Sequence, residues 1–285
     1  MMLFWAVSVL NGLAFGSLLF LLSSGFTLAF GMMRVINVAH GSFYLLGAYV
    51  ALSLMRVTGI FALALVGGAT VVMMLGLLSQ QLALKRIYSN QLAQVLFTMG
   101  LAFALGDVLL VLWGGNPQVM APPPSIGGSV AIGPIVFPKY RLFVMAAGLV
   151  VAAALHVLLS RTRLGMAVRA SVDDEEMAQG VGLNTEALFM IMFGLAAFLA
   201  GLGGALGAPF IGAARGIDFE VLPLTLVVVI LGGLGSLEGA LAGSLFVGVV
   251  DSLGKAAFPE LSYFTLFAPM AIVLAVRPTG LLGRR

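Results

Sequence analysis

The sequence predicts an all-α fold, a polytopic membrane helix bundle of about eight or nine spans with broken or short Gly-rich helices. Three observations carry this. Of 285 residues, 61% are hydrophobic and 9% charged, against roughly 25% charged in a soluble domain. Mean hydropathy is +1.14, more apolar surface than one soluble core of this length could hide. Charge-free runs recur at lengths near the ~20 residues that span a bilayer core.

The runs are Met1–Met33, Val35–Met55, Val57–Leu84, Ile87–Gly106, Leu142–Ser160, Ala187–Ala214, Val221–Leu237, Gly239–Val250 and Leu261–Val276. The first lacks a basic leader, and its apolar stretch exceeds a signal-peptide core, so it reads as a retained span. Val221–Leu237 and Gly239–Val250 are short and meet at GGLGSLEGALAG. They form either a hairpin of two short helices or one interrupted element. The whole chain, 1–285, reads as a single transmembrane domain with one polar loop at about 161–186.

Lys and Arg set orientation. Lys85 and Arg86 mark one loop, Arg161, Arg163 and Arg169 another, and Arg277, Arg284 and Arg285 the C-terminus. All are assigned to the cytoplasm. The Pro- and Gly-rich connection Gly114–Tyr140 and the loop Ile211–Glu220 then lie outside, and Glu238 inside. The side of residue 1 depends on the number of crossings. The net charge of +3 reflects this retained basicity and not a nucleic-acid partner. The chain has no cysteine, which excludes disulfides, thiol catalysis and Cys-based metal sites. Ala196, Ala200, Gly204 and Ala208 recur every four residues, a spacing that lets helices approach closely.

Polar residues inside apolar runs are costly and mark paths or breaks. Arg34, Asn37 and His40 fall within seven residues of one another. Asn37 and His40, three apart, would share a helix face, and Gly41 permits close approach or an unwound turn. Two readings fit. Either the break lines a path for solute, or Arg34 reaches an interface while Asn37 and His40 cap and tie helices. Metal binding at His40 is not expected without a second ligand at suitable spacing. His156 reads as a packing residue of a later span. Asp107, six residues before Trp113, and Asp251, at the end of its run, read as interfacial. A proton relay would need a chain of groups between them.

The loop RTRLGMAVRASVDDEEMAQGVGLNTE spans Arg161–Glu186. Ser171 with Asp174 fits a capping signature, and Asp173, Asp174, Glu175 and Glu176 suit a first helical turn. Gly180 and Gly182 supply the stop. The expectation is a two-turn helix over Val172–Gln179, either a lever for a soluble partner or a solvated charge run. No P-loop, zinc-protease or nucleophile-elbow motif is present in the sequence. Any ATP hydrolysis would therefore belong to another polypeptide.

Four stretches together resemble branched-chain amino acid ABC transporter permeases of the LivH type. They are NGLAFGSLLFLLSSGFTLAFGMMRVINVAHGSFYLLGAYVA, the 161–186 loop with the apolar run after it, VVVILGGLGSLEGALAGSLFVGVVDSL, and AVRPTGLLG. They occur in the expected order from about Asn11 to Gly283. Asn37, Ala39, His40 and Gly41 match the family's Asn-x-Ala-His-Gly element. Val38 stands where the family often has Phe, and Ser42 where it often has Glu.

The resemblance implies a permease and not an enzyme, in the cell inner membrane, with a cytoplasmic C-terminus. It implies coupling to an ATP-binding subunit through Gly165, Arg169, Asp173, Asp174, Glu175, Glu176, Ala178, Gly180 and Gly182. Read as a path, the two breaks place Asn37, His40, Gly41, Ser42, Gly233, Gly235 and Ser236 along it. No cofactor is expected on this chain; ATP and Mg would sit on partner subunits. The implied partners are a related LivM-like permease, two ATP-binding subunits and a periplasmic substrate-binding protein, besides membrane lipid. The implied substrates are branched-chain amino acids, with urea or short amides as the alternative in the same family. An ion-coupled secondary transporter would instead use Asp107 or Asp251, and a membrane scaffold would transport nothing.

Overall fold

A computed structural model describes residues 1–33, 35–277 and 280–282. Arg34, Arg284, Arg285 and parts of the C-terminal motif therefore lie outside the described residues. The chain forms eleven α-helices among those described: α1 Met2–Met33, α2 His40–Thr58, α3 Phe61–Leu82, α4 Gln91–Trp113, α5 Lys139–Arg161, α6 Arg163–Asp173, α7 Glu175–Gly180, α8 Thr185–Gly207, α9 Ile217–Gly232, α10 Leu237–Ala257 and α11 Ser262–Val276. Seven of them are long and apolar enough to cross a membrane. The shorter α9 and α11 have 16 and 15 residues.

Cross-contacts sort the loops into two ends. At one end Lys85 pairs with Glu186, and His156 Nδ1 lies 3.7 Å from a Glu238 carboxylate oxygen. There too the Tyr88 hydroxyl donates to Met33 O, and Leu281 N donates to Leu231 O. At the other end Arg215 pairs with Asp107 at 3.6 Å. Residues 118 and 213 form an antiparallel bridge there, and Ser252 Oγ donates to Ser8 O. Residue 1 thus lies at the end opposite the 161–186 segment. The grouping of loops matches the pattern drawn from Lys and Arg.

Helix starts differ between the ends. Asn90, Thr162, Asp174, Asn184 and Ser236 each accept a backbone N–H from the helix they precede. All five helices begin at the 161–186 end. α3, α5 and α11, which begin at the other end, have no side-chain cap. Side-chain caps replace the partners that the first helical N–H groups lack.

Charge-free runs misplace several boundaries. α2 begins only at His40, because residues 35–39 are not helical. α4 continues through Asp107 to Trp113. The short run Gly239–Val250 belongs to a helix of 21 residues. Asp251 accepts from Lys255 Nζ at 2.7 Å, one turn on, so the charge that ended the run is neutralised within α10. α9 and α10 form the hairpin alternative. The connection Gly114–Tyr140 holds a small antiparallel hairpin, β1 Ser129–Ile132 with β2 Ile135–Pro138, for which the sequence gives no pattern.

The core is built around α1, α2 and α8, while α4 and α5 turn most of their surface outward. In lipid there is no hydrophobic force between helices, so small residues govern the approach. A Cβ on Gly204 would sit 1.8 Å from Tyr44 O, and one on Gly47 2.3 Å from Gly201 O. α1 meets α10 in the same way, with Gly248 against Gly12 O at 2.4 Å. Gly204→Val is expected to cost about 3 kcal/mol, the upper part of the range for overpacking, because the obstacle is backbone. A Cβ on Gly100 meets nothing, so Gly100→Ala should be neutral or stabilising by up to about 1 kcal/mol. Thermal unfolding in detergent would separate the two.

Candidate functional site

α1 ends at Met33 and α2 starts at His40, whose Nε2 donates to Leu22 O at 2.9 Å. Leu22 lies eleven residues before the end of α1, about 16 Å up the helix at its normal rise. The stretch 35–39 therefore climbs back into the bundle without helical structure and closes in a turn at 38–39. A non-helical backbone at that depth needs hydrogen-bond partners other than water. α4 supplies them. Ile36 N donates to Gln94 Oε1 at 3.1 Å and Val38 N to Thr98 Oγ1 at 3.1 Å. Gln94 Nε2 is held by Tyr88 O at 2.7 Å. Gln94 and Thr98 are one helical turn apart and both are buried. Sequence reading passed over them, although their spacing inside an apolar run was the available signal.

Asn37 is not on a helix face with His40 as expected. It lies in the non-helical stretch, where its carbonyl accepts His40 N at 3.3 Å and closes the turn before α2. Asn37 Oδ1 and His40 Nδ1 are buried without a protein partner among the described residues. Such groups seek water or a polar solute. Gly41 is required by contact, since a Cβ there would be 2.3 Å from Asp218 O. Ser42 Oγ donates to Asp218 Oδ2 at 3.0 Å. The family's frequent Glu is absent at 42, yet a carboxylate from α9 stands beside it. Asp218 was missed because its residue lay in a stretch read as an outer loop.

Gly233, Gly235 and Ser236 sit elsewhere. α9 separates them from Asp218 by its own length, 16 residues or about 24 Å. Gly233, at φ 102°, ends α9 and packs on Gly280. Gly235, at φ 80°, lies against Gly31. Ser236 Oγ accepts Gly239 N at 2.9 Å and starts α10. The seven residues assigned to a path thus form two groups, at opposite ends of α9.

The 161–186 segment folds as two helices and not one over Val172–Gln179. Asp174 is extended, at φ −150° and ψ 102°, and breaks the chain between α6 and α7. Its Oδ1 accepts Met177 N at 2.9 Å, so Asp174 is the cap. Ser171 instead donates to Ala167 O inside α6. Asp173, Glu175 and Glu176 are exposed and Ala178 is buried. α7 ends at Gly180, and Gly182, at φ 89°, makes the stop expected of it. Gly165 packs on Leu159 O, where a Cβ would sit at 2.2 Å, and Arg169 donates to the same carbonyl. Both residues therefore fix the corner between α5 and α6. Met177 and Val181 are 64% and 71% exposed, an apolar tip on a polar segment. A groove of about 280 Å³ beside it is lined by Gln80, Lys85, Tyr88, Glu175, Gln179 and Phe189.

His156 is not a packing residue; its side chain is 57% exposed and faces Glu238. Asp107 and Asp251 are each paired with a base, Arg215 and Lys255. Among the described residues no three His, Asp or Glu side chains converge as a metal site.

A family model described as branched-chain amino acid transport system / permease component matches residues 8–274. The chain is 28% identical to the high-affinity branched-chain amino acid transport system permease protein LivH of Escherichia coli strain K12, over 99% of this chain and 96% of the relative. It is 26% identical to the corresponding protein BraD of Pseudomonas aeruginosa, over 97% and 95%. It is 31% identical to the probable branched-chain amino acid transport permease protein LivH of Methanocaldococcus jannaschii, over 86% and 80%. No solved structure matches.

Thr98→Val leaves Val38 N without its partner. The expected cost is about 1–3 kcal/mol, the penalty for a buried unsatisfied group. Gln94→Leu should cost a similar amount, and Thr98→Ser should restore most of the loss. Thermal midpoints of the purified protein in detergent check all three.

Proposed function

The chain belongs to the branched-chain amino acid transport permease family, and on that footing we propose that it is the LivH-like subunit of an ATP-driven importer for branched-chain amino acids. The importer would pair it with a related permease and two ATP-binding subunits. A periplasmic binding protein would deliver the substrate. The family match over residues 8–274 carries the reading.

The form of the polar segment supports the coupling role. α7 is short, capped by Asp174 and exposed at Glu175, Glu176 and Met177. Thr185 Oγ1 donates to a Glu175 carboxylate oxygen at 3.4 Å and accepts Gln179 Nε2 at 2.9 Å. These bonds join α7 to the first turn of α8. α8 packs on α2 through Gly204 against Tyr44 and Gly201 against Gly47. α2 carries Ser42, and hence the contact with α9. A push delivered to α7 by the closing ATP-binding subunits would travel along α8 to the break. The pore would form with the second permease. Specificity would rest mainly with the binding protein, because a permease that held substrate tightly would slow its passage.

The test is uptake of labelled leucine by cells carrying the transporter, with affinity capture of the tagged chain. The wild type should bring down an ATP-binding protein and a second permease. Glu175→Lys with Glu176→Lys should abolish uptake and lose the ATP-binding protein while the chain stays in the membrane. Normal uptake by that variant would overturn the coupling role. Uptake that stops when the proton gradient collapses with ATP intact would overturn ATP-driven import.

A further inference from the structure

A cavity of about 280 Å³ lies between α2, α4 and the start of α9. It follows α4 from Ala102 to Gly114, about 18 Å at the helical rise. It opens at the end opposite the 161–186 segment, where Gly114 stands, and Arg215 reaches Asp107 partway along it, three residues before Asp218 in the chain. Asp218, whose carboxylate accepts from Ser42 Oγ, is part of its wall, so the cavity reaches the residue that stands beside the break. The size falls at the lower edge of the range for small-molecule pockets.

The chemistry of the wall is mixed in a specific way. Leu45, Ala102, Phe103, Leu110 and Phe219 give it an apolar face. Arg215 and Asp107 form an open ion pair at 3.6 Å, with both side chains more than half exposed. Asp218 is 4% exposed, and its hydrogen-bond partner among the described residues is the neutral Ser42 hydroxyl. A buried carboxylate in a membrane protein is costly without a cationic partner. It accepts at about four positions, of which a hydroxyl occupies one. The guanidinium of Arg215 offers a planar fork that suits a carboxylate.

We propose that this cavity is a holding site for a free amino acid with an apolar side chain, on the outer side of the break. Arg215 would take its carboxylate, Asp218 its ammonium group, and the α4 and α9 wall its side chain. The proposal rests on the importer reading above and adds a substrate site within this chain.

The chain has no cysteine, so a single introduced thiol is unambiguous. Gly106 lines the cavity, and a Cβ there meets nothing. Gly100 is on the same helix, outside the cavity, and is equally open. Gly106→Cys and Gly100→Cys would each be assembled with the partner subunits. Labelling of this chain by a small thiol reagent would be timed with and without leucine. Leucine at about ten times its half-protecting concentration should slow labelling of Gly106→Cys about ten-fold and leave Gly100→Cys unaffected.

Isoamylamine lacks the carboxylate and isocaproate lacks the ammonium group, so both should protect more weakly than leucine. Arg215→Gln in the Gly106→Cys background should remove the advantage of leucine over isoamylamine. Asp218→Asn should remove its advantage over isocaproate. Wild-type leucine uptake without protection of Gly106→Cys would overturn the site alone. Isoamylamine protecting as well as leucine would make it a cation site and overturn the zwitterion assignment. Absence of leucine uptake by the wild-type assembly would overturn the importer reading and this site with it.

Discussion

Backbone amides inside a membrane must find a partner in the protein, and between α1 and α2 those of Ile36 and Val38 find theirs on α4. Ile36 and Val38 donate to Gln94 and Thr98. Without those acceptors the stretch would have to become helical or leave the bundle. The depth at which α2 starts follows from this, as does the position of His40 beside Leu22. So does the meeting of Ser42 with Asp218. A break that would be a defect elsewhere places a carboxylate, a hydroxyl and an imidazole inside the protein.

Glycine makes the second contribution. Tyr44, Gly47, Gly201 and Gly204 bring α2 and α8 together at backbone distance, and Gly12, Gly16 and Gly248 do so for α1 and α10. Interfaces this close leave little freedom to deform in small steps. A helix held in this way is moved as a body. That property is what the lever role proposed for α6–α7 would require of the helix to which they are joined.

The bundle, the polar loop and the two ends were legible in the sequence because they depend on composition, run length and the distribution of Lys and Arg. Boundaries were less so. Charge was used as a stop signal, yet Asp107 continues within α4 and Asp251 within α10, each beside a base. Local capping patterns misled at Ser171, because Asp174 adopts the extended conformation and takes the cap. His156 looked buried by its run, but its side chain lies at the surface facing Glu238. The break was visible in Asn37, His40 and Gly41. Its supports were not, since Gln94 and Thr98 lie some sixty residues away and Asp218 further still. Only tertiary contact joins them.

The most direct measurement is amide hydrogen exchange of Ile36 and Val38, set against the connection 114–128. If α4 holds the stretch inside the bundle, the amides of Ile36 and Val38 should exchange as slowly as those of the spanning helices. Exchange as fast as in that connection would place the stretch in water. It would remove the physical basis for an interior break at Ser42 and Asp218.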